Sequence, residues 1–68
     1  MTPSTAPVRL RGTLRAGQRG YHFEANGGEI WHVDGAEGYA TLVGEPLVIE
    51  AYRRAATRLE LLWAGPAG

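Results

Sequence analysis

Two histidines in neighbouring short segments are the residues of this chain whose type and spacing best suit site chemistry. His22 and His32 are each followed two residues later by a carboxylate, Glu24 and Asp34. Imidazole and carboxylate groups are ligands of zinc, nickel and copper. If the segments pair as strands, cross-strand neighbours lie ~5 Å apart at Cβ. His22 and His32 are therefore weak metal candidates, and two exposed strand histidines are the simpler interpretation. No cofactor is expected.

The arginines offer a different chemistry. All seven basic residues are arginine and are balanced by seven acidic residues, so the net charge is zero. Arginine can hold phosphates and stack on bases, and five arginines fall in segments 15–19 and 53–58. Neutral charge and the nearby Glu24 and Asp34 count against nucleic acid. Single-stranded nucleic acid is therefore the alternative partner, with candidate residues Arg15, Arg19, His22, Tyr52, Arg53, Arg54 and Arg58.

A third set consists of apolar side chains that the strand pattern turns outward. Val48 and Leu62 fall on segments expected to be neighbouring strands, so they can share one patch. Exposed apolar patches mark interaction surfaces. We therefore expect an interaction module of unknown function that binds an unidentified protein or a second copy of itself. The candidate interface residues are Ile30, Val48, Tyr52 and Leu62.

Enzyme chemistry has little support in the sequence. There is no cysteine or lysine, and Ser4 is the one serine. The glycines form neither a phosphate-binding loop nor a dinucleotide fingerprint. We expect no catalytic activity. The first residues do not read as a signal peptide, and no apolar run is long enough for a membrane helix. We therefore expect a cytoplasmic protein, and its Arg, Ala and Gly content is typical of a GC-rich bacterial genome.

The elements that must position these residues follow from hydrophobic periodicity. Period-two alternation predicts strands near 8–15, 21–25, 30–33, 46–52 and 59–63. A three-residue hairpin loop over 26–28 keeps every large apolar residue except Ile30 on one face, whereas a two-residue loop would turn Trp31 outward. That register pairs Phe23 with Trp31, Tyr21 with Val33 and His22 with His32. Residues 53–57 are predicted to form a turn.

One short helix is predicted between the third and fourth strands. Asp34 is the expected N-cap, and Glu37 completes a capping box. Tyr39, Leu42 and Val43 share a helical face, and Gly44 ends the helix. Because Gly38 weakens it, the helix is expected to be two turns or a 3₁₀ segment.

This order of elements predicts an all-β, five-stranded, OB-like Greek-key barrel. The alternative is an SH3-like barrel, which carries its helical turn between the fourth and fifth strands. The barrel is expected to span residues 8–64, with flexible tails over 1–7 and 65–68. The predicted inner residues, including Ala51 on the fourth strand, are Val8, Leu10, Leu14, Tyr21, Phe23, Trp31, Val33, Leu42, Leu47, Ile49, Ala51, Leu59, Leu61 and Trp63.

Several short motifs resemble a small bacterial domain family of unknown function. They include Gly12-Thr13-Leu14, residues 21–24, residues 28–34, residues 47–50 and residues 59–63. The resemblance covers roughly residues 8 to 63 and implies an OB-like barrel, with no activity attached. Ala51 stands where the family pattern has glycine, and the loop at 53–58 is longer here.

Overall fold

The computed structural model of the chain describes residues 6–67. Their five strands are β1 (Val8–Gly17), β2 (Gly20–Ala25), β3 (Ile30–Asp34), β4 (Pro46–Ala55) and β5 (Arg58–Pro66). A 3₁₀ helix, Glu37–Leu42, connects β3 to β4. Within the described part of the chain, no helix is long and apolar enough to cross a membrane.

The strands close into a barrel in the order β1-β2-β3-β5-β4, with β4 returning to pair with β1. All pairs are antiparallel except β3 with β5. With the helix between β3 and β4, this is the OB-like arrangement predicted from the sequence. The connection from β4 to β5 is a tight turn over 56–57 in place of the helical turn of an SH3-like barrel.

The hairpin between β2 and β3 adopts the predicted register. Phe23 pairs with Trp31, and His22 pairs with His32. The three-residue loop ends at Gly28, whose φ of 100° lies in the left-handed region that glycine tolerates. This register was predictable because it alone turns every large apolar residue of both strands except Ile30 to the inside.

The core fills the barrel with residues that the alternation assigned to its inside. Leu14, Phe23, Leu47, Ile49 and Leu59 are fully buried, and Val33, Ala51 and Leu61 join them. Four other predicted inner residues are half-buried and pack against this core: Leu10, Tyr21, Trp31 and Leu42.

Two predicted core residues are wrong. Trp63 is 47% exposed because β5 carries an extra residue: Glu50 pairs with Trp63, whereas Ala51 pairs with Leu61. The extra residue reverses the alternation, so that Ala64 points inward and Trp63 lies outside. Val8 is 37% exposed because it begins β1 at the barrel end and pairs with the small Ala51.

Two local predictions also need correction. The helix begins after Ala36 without a side-chain cap, because Asp34 ends β3 and its carboxylate binds Arg58. The turn predicted over 53–57 is mostly strand, since β4 continues to Ala55.

The structure and the predicted boundaries of the barrel differ slightly at its C-terminal end. β5 runs to Pro66, two residues past the predicted boundary, and Gly65 is buried. The Ala67 amide also donates to the Pro46 carbonyl. Of the predicted tails, residues 1–5 and 68 lie outside the described residues.

Candidate functional site

A row of basic and imidazole side chains crosses the outside of the barrel. Arg15 pairs with His22, His22 with His32, and His32 with Arg58, so the row spans β1, β2, β3 and β5. The register therefore brings together Arg15, His22 and Arg58, three of the residues predicted to bind nucleic acid.

Carboxylates on the same face neutralise much of this row. Glu24 accepts from Arg15 Nε at 3.3 Å, and its other oxygen lies 3.3 Å from His22 Nε2. Arg58 Nη1 lies 3.0 Å from each oxygen of Asp34. The hydrogen bond with His22, and next the one from Arg15, lower the pKa of Glu24 below its ordinary value. These ion pairs weaken the positive field of the row.

The other predicted nucleic-acid residues lie elsewhere. The guanidinium of Arg53 sits 5.7 Å from the centre of the Trp31 ring. Arg54 stacks 5.0 Å from the ring centre of Tyr52 and forms an ion pair with Glu60. Arg53 therefore reaches the ring of Trp31 on β3, whereas Arg54 contacts Tyr52 and Glu60 rather than the residues of the row.

Two adjoining grooves lie where the turn between β1 and β2 meets β3. The first, called here the turn groove, has a volume of about 320 Å³. It is lined by the turn residues 17–20 with Tyr21, His22, Ile30 and His32. Arg19, the remaining predicted nucleic-acid residue, lines it and forms no ion pair with any residue between 6 and 67.

The second groove, called here the acidic groove, has a volume of about 350 Å³. It shares Arg19, Tyr21 and His32 with the turn groove, and it adds Asp34, Glu37 and Arg58. The two grooves therefore adjoin at these shared residues, and, among the described residues, carboxylates line only the second.

The histidine pair does not assemble a metal centre in the described chain. Residues 6–67 contain no group of three or more histidine, cysteine or acidic residues arranged to hold a metal ion. His22 and His32 are register partners as predicted, and His22 is engaged with Glu24.

The predicted apolar interface residues divide between two surfaces. Ile30, 52% exposed, lies beside the histidines in the turn groove. Val48 and Tyr52 are half-buried on β4, and Leu62 is 42% exposed on β5. Only the last three lie on the β4–β5 side of the barrel.

Sequence reasoning missed Trp63, the largest exposed apolar residue of that side. Its indole lies across Gly65: a Cβ there would be 2.5 and 2.6 Å from two atoms of the Trp63 ring. Gly65 is the register partner of Val48. A small residue two positions after an apolar one in a strand is a weak sequence signal that a ring lies over it.

Comparison with known families agrees with the resemblance seen in the sequence. The family model described as a protein of unknown function (DUF5818) matches residues 11–67. No curated protein and no solved structure matches the chain. The chain therefore belongs to the DUF5818 family, whose description attaches no activity to it.

Proposed function

We propose that this chain is an interaction module, without catalysis, that pairs with a second copy of itself. The docking surface is the outer face of β4 and β5, defined here by Val48, Tyr52, Leu62 and Trp63. The observation that carries the proposal is the 47% exposure of Trp63 on the outside of the barrel.

The shape of this outer face suits a flat contact. Because Gly65 has no side chain, the Trp63 ring lies against the strand beside Val48. Leu62 extends the exposed apolar surface along the chain. Tryptophan is enriched among residues that dominate interface energies, since it removes a large apolar area from water.

Charge complementarity favours a second copy as the occupant. Arg11 is the register partner of Val48, and Glu45 lies three positions before Val48, immediately before β4 begins. Neither forms an ion pair within residues 6–67. A two-fold axis running past Val48 and Trp63 would set Arg11 of each copy against Glu45 of the other. A two-fold contact uses each such pair twice.

The small size of the barrel gives self-pairing a thermodynamic role. A domain of about 60 residues buries only ~60% of its unfolded surface. Binding of a second copy to the folded state alone stabilises that state by mass action. A bacterial source and a cytoplasmic location remain predictions from the sequence.

Sedimentation equilibrium of the full chain between about 5 μM and 1 mM tests the proposal. We expect a reversible dimer. Trp63→Ala should weaken it about thirtyfold or more, the equivalent of ~2 kcal/mol for a central interface residue. Ile30→Ala is the matched control, because Ile30 is equally exposed but lies on the other face.

Charge-reversal variants test whether the partner on this face is a second copy of the chain. Arg11→Glu and Glu45→Arg should each weaken the dimer, and the double variant should restore it. A parent that stays monomeric to 1 mM, or an Ile30→Ala variant that loses as much association as Trp63→Ala, would contradict the proposal. Failure of the double variant to recover would reject the two-fold arrangement.

A further inference from the structure

The turn groove, unlike the apolar β4–β5 face, is lined by basic, aromatic and amide-bearing residues. The residues that line it include Arg19, Gln18, Tyr21, His22 and His32. No carboxylate lines it among the described residues. Arginine supplies a donor fork for phosphate, and aromatic rings supply stacking surfaces for bases.

The volume of the groove limits what it can hold. About 320 Å³ lies at the lower end of the ~300–1,000 Å³ range of small-molecule sites. This space suits one base with its sugar and phosphate rather than several nucleotides.

The acidic groove limits the direction in which a longer nucleic-acid strand could extend from the turn groove. A strand that left the turn groove in that direction would bring its next phosphate to Asp34 and Glu37. Arg58 offers little compensation there, because both oxygens of Asp34 already accept from it. Like charges at close range oppose binding. The carboxylates therefore favour a single nucleotide over an extended strand.

We propose that the turn groove binds one nucleotide unit, with its phosphate at Arg19 and its base against the rings of His22 and His32. The unit is either a free mononucleotide or the phosphorylated end of a single strand. This narrows the predicted binding of single-stranded nucleic acid to one position. It does not rest on the self-pairing proposed above, since the two surfaces share no residue.

Amide chemical-shift titrations of the full chain at low salt test this site. The probes are adenosine monophosphate, inorganic phosphate, and a hexadeoxyadenylate with and without a 5′-phosphate. We expect the monophosphate to shift the amides of 17–22 and 30–32, and to bind at least tenfold more tightly than inorganic phosphate. Tighter binding of the phosphorylated hexamer than of the monophosphate would assign the strand end as the ligand, and equal or weaker binding the free nucleotide.

Two arginine variants separate a site from general charge. Arg19→Ala should weaken monophosphate binding about tenfold or more. Arg54→Ala, which removes the same charge on β4, should change it less than twofold. Equal losses in both variants, equal binding of phosphate and monophosphate, or no shifts with any probe would overturn the proposal.

The carboxylates provide an independent test. The double variant Asp34→Asn and Glu37→Gln should bind the hexamer at least tenfold more tightly than the parent does, while its affinity for the monophosphate changes less than threefold. Unchanged hexamer binding would refute the inference that these carboxylates stop the strand.

Discussion

The two tryptophans of this barrel occupy opposite environments, although the alternation of the sequence assigns both to the inside. Trp31 is half-buried beside Phe23 at the barrel end, with the Arg53 guanidinium over its ring. Trp63 lies outside, over Gly65. The difference comes from one extra residue in β5. In a barrel this small, a single bulge decides whether a large ring stabilises the fold or is available for binding.

The indole nitrogens of the two tryptophans also lie in different environments. Trp31 Nε1 is buried and has no hydrogen-bond partner among the described residues. Trp63 presents its ring to solvent, where water can satisfy its nitrogen. Trp31 is therefore tied to the fold by packing, at the cost of one unsatisfied N–H group.

The largest predicted effect is the difference in stability between the alanine variants of the two tryptophans. Trp31→Ala should lower the free energy of unfolding by about 3–5 kcal/mol, because it removes a ring that packs against the core. Trp63→Ala should lower it by about 1 kcal/mol or less. Urea denaturation followed by circular dichroism, at a concentration where the parent is monomeric, measures both.

A phenylalanine variant sharpens this comparison. Trp31→Phe keeps most of the packing and removes the unsatisfied N–H group, so its cost should be under about 1.5 kcal/mol. Equal destabilisation by Trp31→Ala and Trp63→Ala would contradict the assignment of the two rings.

The contrast also shows what the sequence could and could not predict. Tyr21 to Val33 carries a clear alternation on both sides of a glycine-containing loop, so its register was predictable to the residue. The run from Leu61 to Ala64 is apolar at every position and carries no information about which side faces inward. The bulge there could not be found from the pattern, and Trp63 was misplaced as a result.

The side-chain pairings of the candidate sites, like the strand registers, were predictable only in part. The pairing of His22 with His32 follows from the hairpin alone. The partners of the arginines do not, because Arg58 meets Asp34 across a parallel strand pair, and Arg54 meets Glu60 in a hairpin whose turn the sequence misplaced over 53–57. Sequence distance gives no measure of such contacts, so the arginine loops appeared more basic than they are.

Alanine substitutions at two glycines should distinguish the barrel wall from its outer face, with smaller effects on stability than the tryptophan variants. A Cβ at Gly12 would overlap the backbone carbonyl of Glu24, which cannot move without disturbing the β1–β2 pairing. Gly12→Ala should therefore cost about 1–3 kcal/mol. A Cβ at Gly65 meets only the far end of the Trp63 ring, so Gly65→Ala should cost under about 1 kcal/mol while displacing the indole.

Thermal unfolding and tryptophan fluorescence distinguish these outcomes. Gly17→Ala is the control, since its nearest contact would be 3.8 Å away. Gly65→Ala should change the emission wavelength with little change in the melting temperature. Unaltered emission in that variant would show that the ring does not lie over Gly65.

The smallest predicted effect concerns the charged face on the other side of the barrel. Hydrogen bonds with His22 and Arg15 lower the pKa of Glu24 in the folded chain. A carboxyl group with a lowered folded pKa contributes stability above its unfolded pKa, and this contribution is lost as the pH falls through the folded value. Because Glu24 is exposed to solvent, the contribution is small and is screened by salt.

Glu24→Gln should remove this acid-dependent contribution. Relative to the parent, the variant should be less stable at neutral pH, and the gap should close as the pH falls below about 4. Glu29→Gln is the matched control, because Glu29 forms no ion pair within the described residues. Melting temperatures between pH 3 and 7, at low and high salt, provide the measurement. A gap that persists at pH 3 would mean that Glu24 stabilises the face by packing rather than by charge, and the β2–β3 face would then resemble the apolar side of the barrel.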